Sequence, residues 1–150
     1  MVVDLSDIFE SGKIAEVISS KIKEAKFSLV PAYQKLEEIL ILYKNNNKEV
    51  DLIMPALFEI DVEHNKTIPD GRSIWFIYAE VLHSDLCEHT GNLHRIISSN
   101  NPASGSEVIQ AIIDKLKLPQ SSAFLLAPIA GSMLGLGVNA FCRHQSTRTG

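Results

Sequence analysis

Residues 73–82 read SIWFIYAEVL, and the fold turns on whether they form a strand or a helix. A continuous apolar run has no decisive period, since a strand and a helix buried on all sides both look alike in sequence. Its Ile, Trp, Phe, Tyr and Val content favours a strand. The preceding segment points the same way. In LFEIDVEH, residues 57–64, Phe58, Ile60, Val62 and His64 alternate with Glu59, Asp61 and Glu63. That pattern describes a half-buried strand with one acidic face. Between the two runs lies Pro69-Asp70-Gly71, which supplies a fixed φ, an Asx hydrogen bond and a residue free to take φ > 0. The expectation is a β-hairpin with strands near 57–64 and 73–82.

Working outward, EVLHSDLCEHTGNLHRII, residues 80–97, holds three of the five histidines and one of the two cysteines, so it is the first place to seek chemistry. Leu86, His89, Leu93, Ile96 and Ile97 predict a helix from Ser84 or Asp85 to Ser99. Asp85 and Glu88 resemble a capping box at its start. His89 would then face inward, with Cys87 and His94 on the opposite face. Seven residues of helix rise about 10 Å, too far for one ion to bridge both in the simplest geometry. Glu80-Val81-Leu82-His83 has the Glu-x-x-His form of carboxylate-bridged di-iron bundles, which need two such elements. The chain has one, and a strand would put Glu80 and His83 on opposite faces. No metal and no cofactor is expected. Cys87, flanked by acidic Asp85 and Glu88, is expected to be an inert thiol, because neighbouring carboxylates oppose the thiolate.

The flanks are helical. Ile8, Gly12, Ala15, Ile18, Ile22 and Ala25 recur at three and four through residues 4–26. A second helix starts near Pro31, passes through Tyr33, Leu36, Leu40 and Tyr43, and ends at Asn45-Asn46-Asn47. The two should pair antiparallel. Ser104 and Glu107 form a second capping box, opening a helix that buries Val108, Ile109, Ile112, Ile113 and Leu116 before Pro119. The whole is a helix-rich α+β domain over residues 1–142, with about five helices, one hairpin and a polar tail at 143–150.

Residues 123–142, AFLLAPIAGSMLGLGVNAFC, admit three readings. Gly135-x-Gly137-x-x-Ala140 fits a dinucleotide-binding loop, but the acidic residue needed about twenty positions later has no place in a chain ending at Gly150. A membrane span is the second, by length. Pro128, Asn139 and the glycines favour the third, a core helix apolar all round. Ala127, Gly131 and Gly135 at intervals of four allow another helix to come close.

Composition narrows the function. Fourteen basic residues against eighteen acidic give a net charge of −4. Lys13, Lys21, Lys23, Lys26, Lys35 and Lys44 are interleaved with Glu16, Glu24, Glu37 and Glu38, so no uncompensated basic stripe exists to neutralise phosphates. Nucleic acid is not an expected partner. Two cysteines do not make the disulfide framework of a small secreted protein, and MVVDLSDIFE lacks the features of a signal peptide; the cytoplasm is expected. Asn65-Lys66-Thr67 fits a glycosylation sequon, which matters only in a secreted protein.

With no catalytic signature, the chain is expected to be a small acidic protein-binding module: an adaptor, chaperone or complex subunit. Its candidate surface is the edge and face of the hairpin, at Glu59, Asp61, Glu63, Trp75 and Ile77. The alternative is an enzyme or small-ligand or metal binder using His64, Glu80, His83, Cys87 and His94. A self-associating homo-oligomer is the third.

Overall fold

A computed structural model describes residues 5–46, 71–98, 104–118 and 123–149. Among them every regular element is a helix: α1 (Leu5–Glu24), α2 (Val30–Asn46), α3 (Gly71–Cys87), α4 (Asn92–Ile97), α5 (Gly105–Leu116) and α6 (Ala123–Thr149).

The expected α+β fold is therefore wrong. Residues 73–82 lie inside α3. The other proposed strand, 57–64, lies outside the described residues, as do Pro69 and Asp70. The reason for the helix is visible in α3's buried set. Trp75, Tyr78, Ala79, Leu82 and Leu86 are all fully buried, at spacings of three and four. Glu80, His83 and Ser84 share the exposed side. A strand would have sent Glu80 and Leu82 to the same face, an acid and a core residue together.

The expected helix from residue 84 to 99 divides in two. The chain leaves α3 at Cys87, turns, and starts α4 at Asn92. Asp85 does not open a helix through Glu88. It closes the turn instead: Oδ1 accepts from the Asn92 N–H at 3.2 Å and Oδ2 from the Leu93 N–H at 3.0 Å. One buried carboxylate thus satisfies two of the donors that any helix start leaves open. Lys115 of α5 adds its ammonium 3.9 Å from the same carboxylate.

At α5 the capping box is present. The Ser104 hydroxyl accepts from the Glu107 N–H at 3.3 Å, and the Glu107 carboxylate accepts from the Ser104 N–H at 3.5 Å. α1 ends in a Schellman turn, with the Phe27 N–H donating to the Ile22 carbonyl at 2.8 Å and Lys26 to Lys23 at 3.3 Å. Lys26 and Phe27 both adopt positive φ there, where glycine is usual, so the tertiary position of α2 holds the turn against its local preference.

α6 touches all five other helices, most extensively α1. It contains the single stretch among the described residues long and apolar enough to cross a membrane, Ala123–Arg143, and 61% of that window is buried within the fold. Backbone distance explains the tight fit to α1. A Cβ on Gly131 would fall 2.7 Å from the Ala15 carbonyl oxygen, and one on Gly135 3.1 Å from that of Ser19. Pro128, within the helix, removes one N–H from the ladder. The Ser132 hydroxyl donates to the Pro128 carbonyl at 2.7 Å and accepts from the Trp75 indole N–H at 2.9 Å. At Gly137 the helix is interrupted by φ 80, ψ 168, a conformation open essentially to glycine alone. Ser132 before the bend and Phe141 after it both meet Trp75, so the chain folds back across α3. The backbone is helical again through the 143–149 tail.

Candidate functional site

Among the described residues, those suspected of chemistry do not converge. Glu80 and His83 are exposed on α3. His89, expected to face inward, is exposed in the α3–α4 turn, its ring 4.8 Å from that of His94. His94 Nδ1 lies 3.0 Å from the Leu86 carbonyl, which gives the imidazole an ordinary structural partner. Cys87 is not a free thiol. It is joined to Cys142, with Cα atoms 6.1 Å apart, within the usual range for a disulfide. The expectation of an inert Cys87 thiol is corrected by that bond: two cysteines too few for a disulfide-rich scaffold still suffice for one bridge. Among the described residues no group of three or more His, Cys, Asp or Glu is placed to hold a metal ion. His64 lies outside the described residues.

The expected hairpin surface fares no better. Glu59, Asp61 and Glu63 lie outside the described residues. Trp75 is fully buried and is the hub of an aromatic cluster, with Tyr33 at 6.0 Å, Phe76 at 5.0 Å and Phe141 at 4.9 Å between ring centroids. Ile77 is half-buried against the core. Neither is a surface anchor.

The described residues instead form a groove between α1 and α2, enclosing about 700 Å³. Its floor is apolar: Ile14, Val17 and Ile18 from α1, then Ala25 and Pro31 at the closed end of the helical hairpin. Its rims carry Glu10, Lys13, Lys21 and Glu24 on α1 with Gln34, Lys35 and Glu38 on α2. Glu10 pairs with Lys13 at 3.8 Å and Lys35 with Glu38 at 3.9 Å. Such exposed pairs contribute little to stability, at most about 1 kcal/mol, and are readily exchanged for other partners. Three lysines and three glutamates balance, so the rim does not select a polyanion.

The same helical hairpin carries most of the exposed apolar side chains. Of the six large apolar side chains left exposed among the described residues, five are on this hairpin: Phe9, Val17, Phe27, Val30 and Ile41. The sequence carried a signal for it. Ile14 widens the edge of the stripe of Ile8, Ala15, Ile18 and Ile22, and Val17 and Phe9 fall outside it, exposed, so α1 carries more apolar surface than a single-stripe helix needs.

On α2, Tyr33 packs against the core, its ring meeting Trp75. Burial raises its phenol above the usual value, and the Arg72 guanidinium works in the opposite direction. Arg72 also lies over the Phe76 ring, 5.6 Å from its centroid.

No known protein family, curated protein or solved structure matches this chain.

Proposed function

We propose that the protein is a non-catalytic binding module whose α1–α2 groove receives an amphipathic helix from a partner protein. The observation that carries this is the concentration of exposed apolar side chains on one helical hairpin. Scattered surface apolar residues need no explanation, whereas exposed apolar side chains concentrated on the hairpin that bears an open groove suit a helix-in-groove interface. The partner's apolar stripe would cover Ile14, Val17 and Ile18, and its flanking charges would meet the mixed rim of Glu10, Lys13, Lys21, Lys35 and Glu38. The reading keeps the cytoplasm as the compartment and an adaptor or complex subunit as the role. The alternative of an enzyme centred on residues 80–94 loses support, since Cys87 is bonded and Glu80 and His83 are exposed on α3.

The test is paired affinity capture from native cells, with tagged wild type beside Val17→Asp and Glu80→Ala proteins, quantified by mass spectrometry. Val17 is exposed, so its substitution leaves the fold intact, checked by circular dichroism. A partner held by wild type and Glu80→Ala, and reduced at least tenfold by Val17→Asp, supports the groove. Equal recovery by all three sinks it.

A further inference from the structure

We propose that Cys87–Cys142 is a redox-operated latch, closed by the disulfide and opened by a small dithiol. The latch holds the part of α6 after Gly137 against α3. Three observations combine. First, Cys87 is the last residue of α3 and Cys142 lies five positions beyond the bend at Gly137. Both are half-buried rather than sealed in the core, which leaves the bond open to attack. Second, the bend has open space at its centre: a Cβ at Gly137 would meet nothing within 4 Å, although its neighbours Leu136 and Val138 pack against the core. Rotation there is not blocked by a neighbour. Third, among the described residues one fully buried side chain anchors the returning segment, Phe141 on Trp75. The covalent link therefore adds to one aromatic contact and the partly buried Val138 in holding this segment.

The chemistry balances. A thiolate of the dithiol attacks one protein sulfur, the S–S bond breaks, and the other sulfur leaves as a thiolate that takes a proton. The second dithiol sulfur then displaces the mixed disulfide, and the released protein sulfur is protonated in turn. The dithiol loses two electrons and two protons and becomes a cyclic disulfide; the protein gains two thiols. A cross-link over 55 positions also restricts the unfolded chain, which in the chain-entropy view favours the folded state by roughly a hundredfold or more. In a reducing compartment such bonds are more often sensing elements than permanent braces, so the sensing role rests on the cytoplasmic reading above. Trp75 also meets Tyr33 of α2, so opening reaches the groove-bearing hairpin through one shared side chain.

The experiment uses the full chain, purified without reductant, then treated with a dithiol. Alkylation and intact mass must show no free thiol before treatment and two after. Hydrogen exchange of peptides spanning 138–149 should quicken at least tenfold on reduction, while peptides from α1 and α5 stay protected. Trp75, the chain's single tryptophan, should shift its emission to longer wavelength, and reoxidation should reverse both changes. A Cys142→Ser protein should resemble the reduced form; if it does not fold, reversible reduction of wild type decides alone. Two alkylatable thiols under oxidising conditions overturn the proposal. So does full reduction with unchanged exchange and emission, or with loss of protection throughout the chain, which would make the bond a structural brace. None of these readouts requires the groove's partner, so failure of the latch and failure of the binding role are distinguishable.

Discussion

Two of the interfaces that hold α6 are built on opposite principles. Against α1 it presents missing side chains: Gly131 and Gly135 let two backbones approach until a single methyl would strike a carbonyl. Against α3 it presents bulk: Phe141 and the Ser132 hydroxyl close around Trp75. The first interface tolerates no addition and the second no removal. Close-packed interiors fail in both directions, but at different magnitudes, since a large cavity cannot be refilled while a small overlap can be shared among neighbours.

That contrast orders the expected effects. Trp75→Ala should be the most damaging, at about 3–5 kcal/mol. It empties the aromatic hub and leaves the Ser132 hydroxyl without the indole N–H it accepts from. Urea unfolding should show the loss at an unchanged m-value; a loss under 1 kcal/mol would mean that α3 does not pack as described. Gly131→Ala comes next. Alanine gains about 1 kcal/mol of helix propensity, but overpacking costs about 1–3 kcal/mol. The obstacle is the Ala15 carbonyl at 2.7 Å, a backbone atom that cannot rotate aside, so the net change should be destabilising. A thermal melt that rises instead would refute the close approach.

A third variant removes polar contacts rather than volume. Asp85→Ala should cost about 1–2 kcal/mol, as for a lost N-cap. Its effect should be local, with amides 92 and 93 exchanging faster while α1 keeps its protection. Asp85→Asn should restore part of the loss, because one amide oxygen still accepts.

Tyr33 supplies a pH test of the face where α2 meets Trp75. Its phenol is raised above 10.0, chiefly by burial, with Arg72 opposing. The neutral form is therefore favoured by folding. The contribution is complete below about pH 10 and is lost as pH rises through the folded-state value. Tyr33→Phe should flatten the decline of stability above pH 10, measured by denaturant midpoints in the two proteins. Identical declines would refute the assignment. Smallest of all, Glu80→Ala and His83→Ala should each shift stability by no more than about 0.5 kcal/mol, as exposed positions do. A larger effect would restore a role for that face.

The N-terminal pair, the Ser104–Glu107 cap and the small-residue spacing of residues 127–135 were legible because each is a local pattern with a local cause. Residues 73–82 were misread because β-branched and aromatic content is a preference for half-buried surface, which a buried helix can satisfy too. The better signal was polar: Glu80, His83 and Ser84 fall at three and four, which no strand accommodates on one face. The groove was not foreseen; its one signal in the sequence is Val17, which lies off the main stripe of α1.

The sequence alone determined where α1, α2 and α5 could start and which backbones could approach, since capping and side-chain size act over a few residues. Only the tertiary structure decided that α3 is a helix, that Trp75 is core rather than surface, and that Asp85 closes a turn. It also decided that two cysteines 55 positions apart meet. Those outcomes depend on which surfaces remain after distant segments have packed, and burial by a partner far along the chain leaves no period in the sequence that undergoes it.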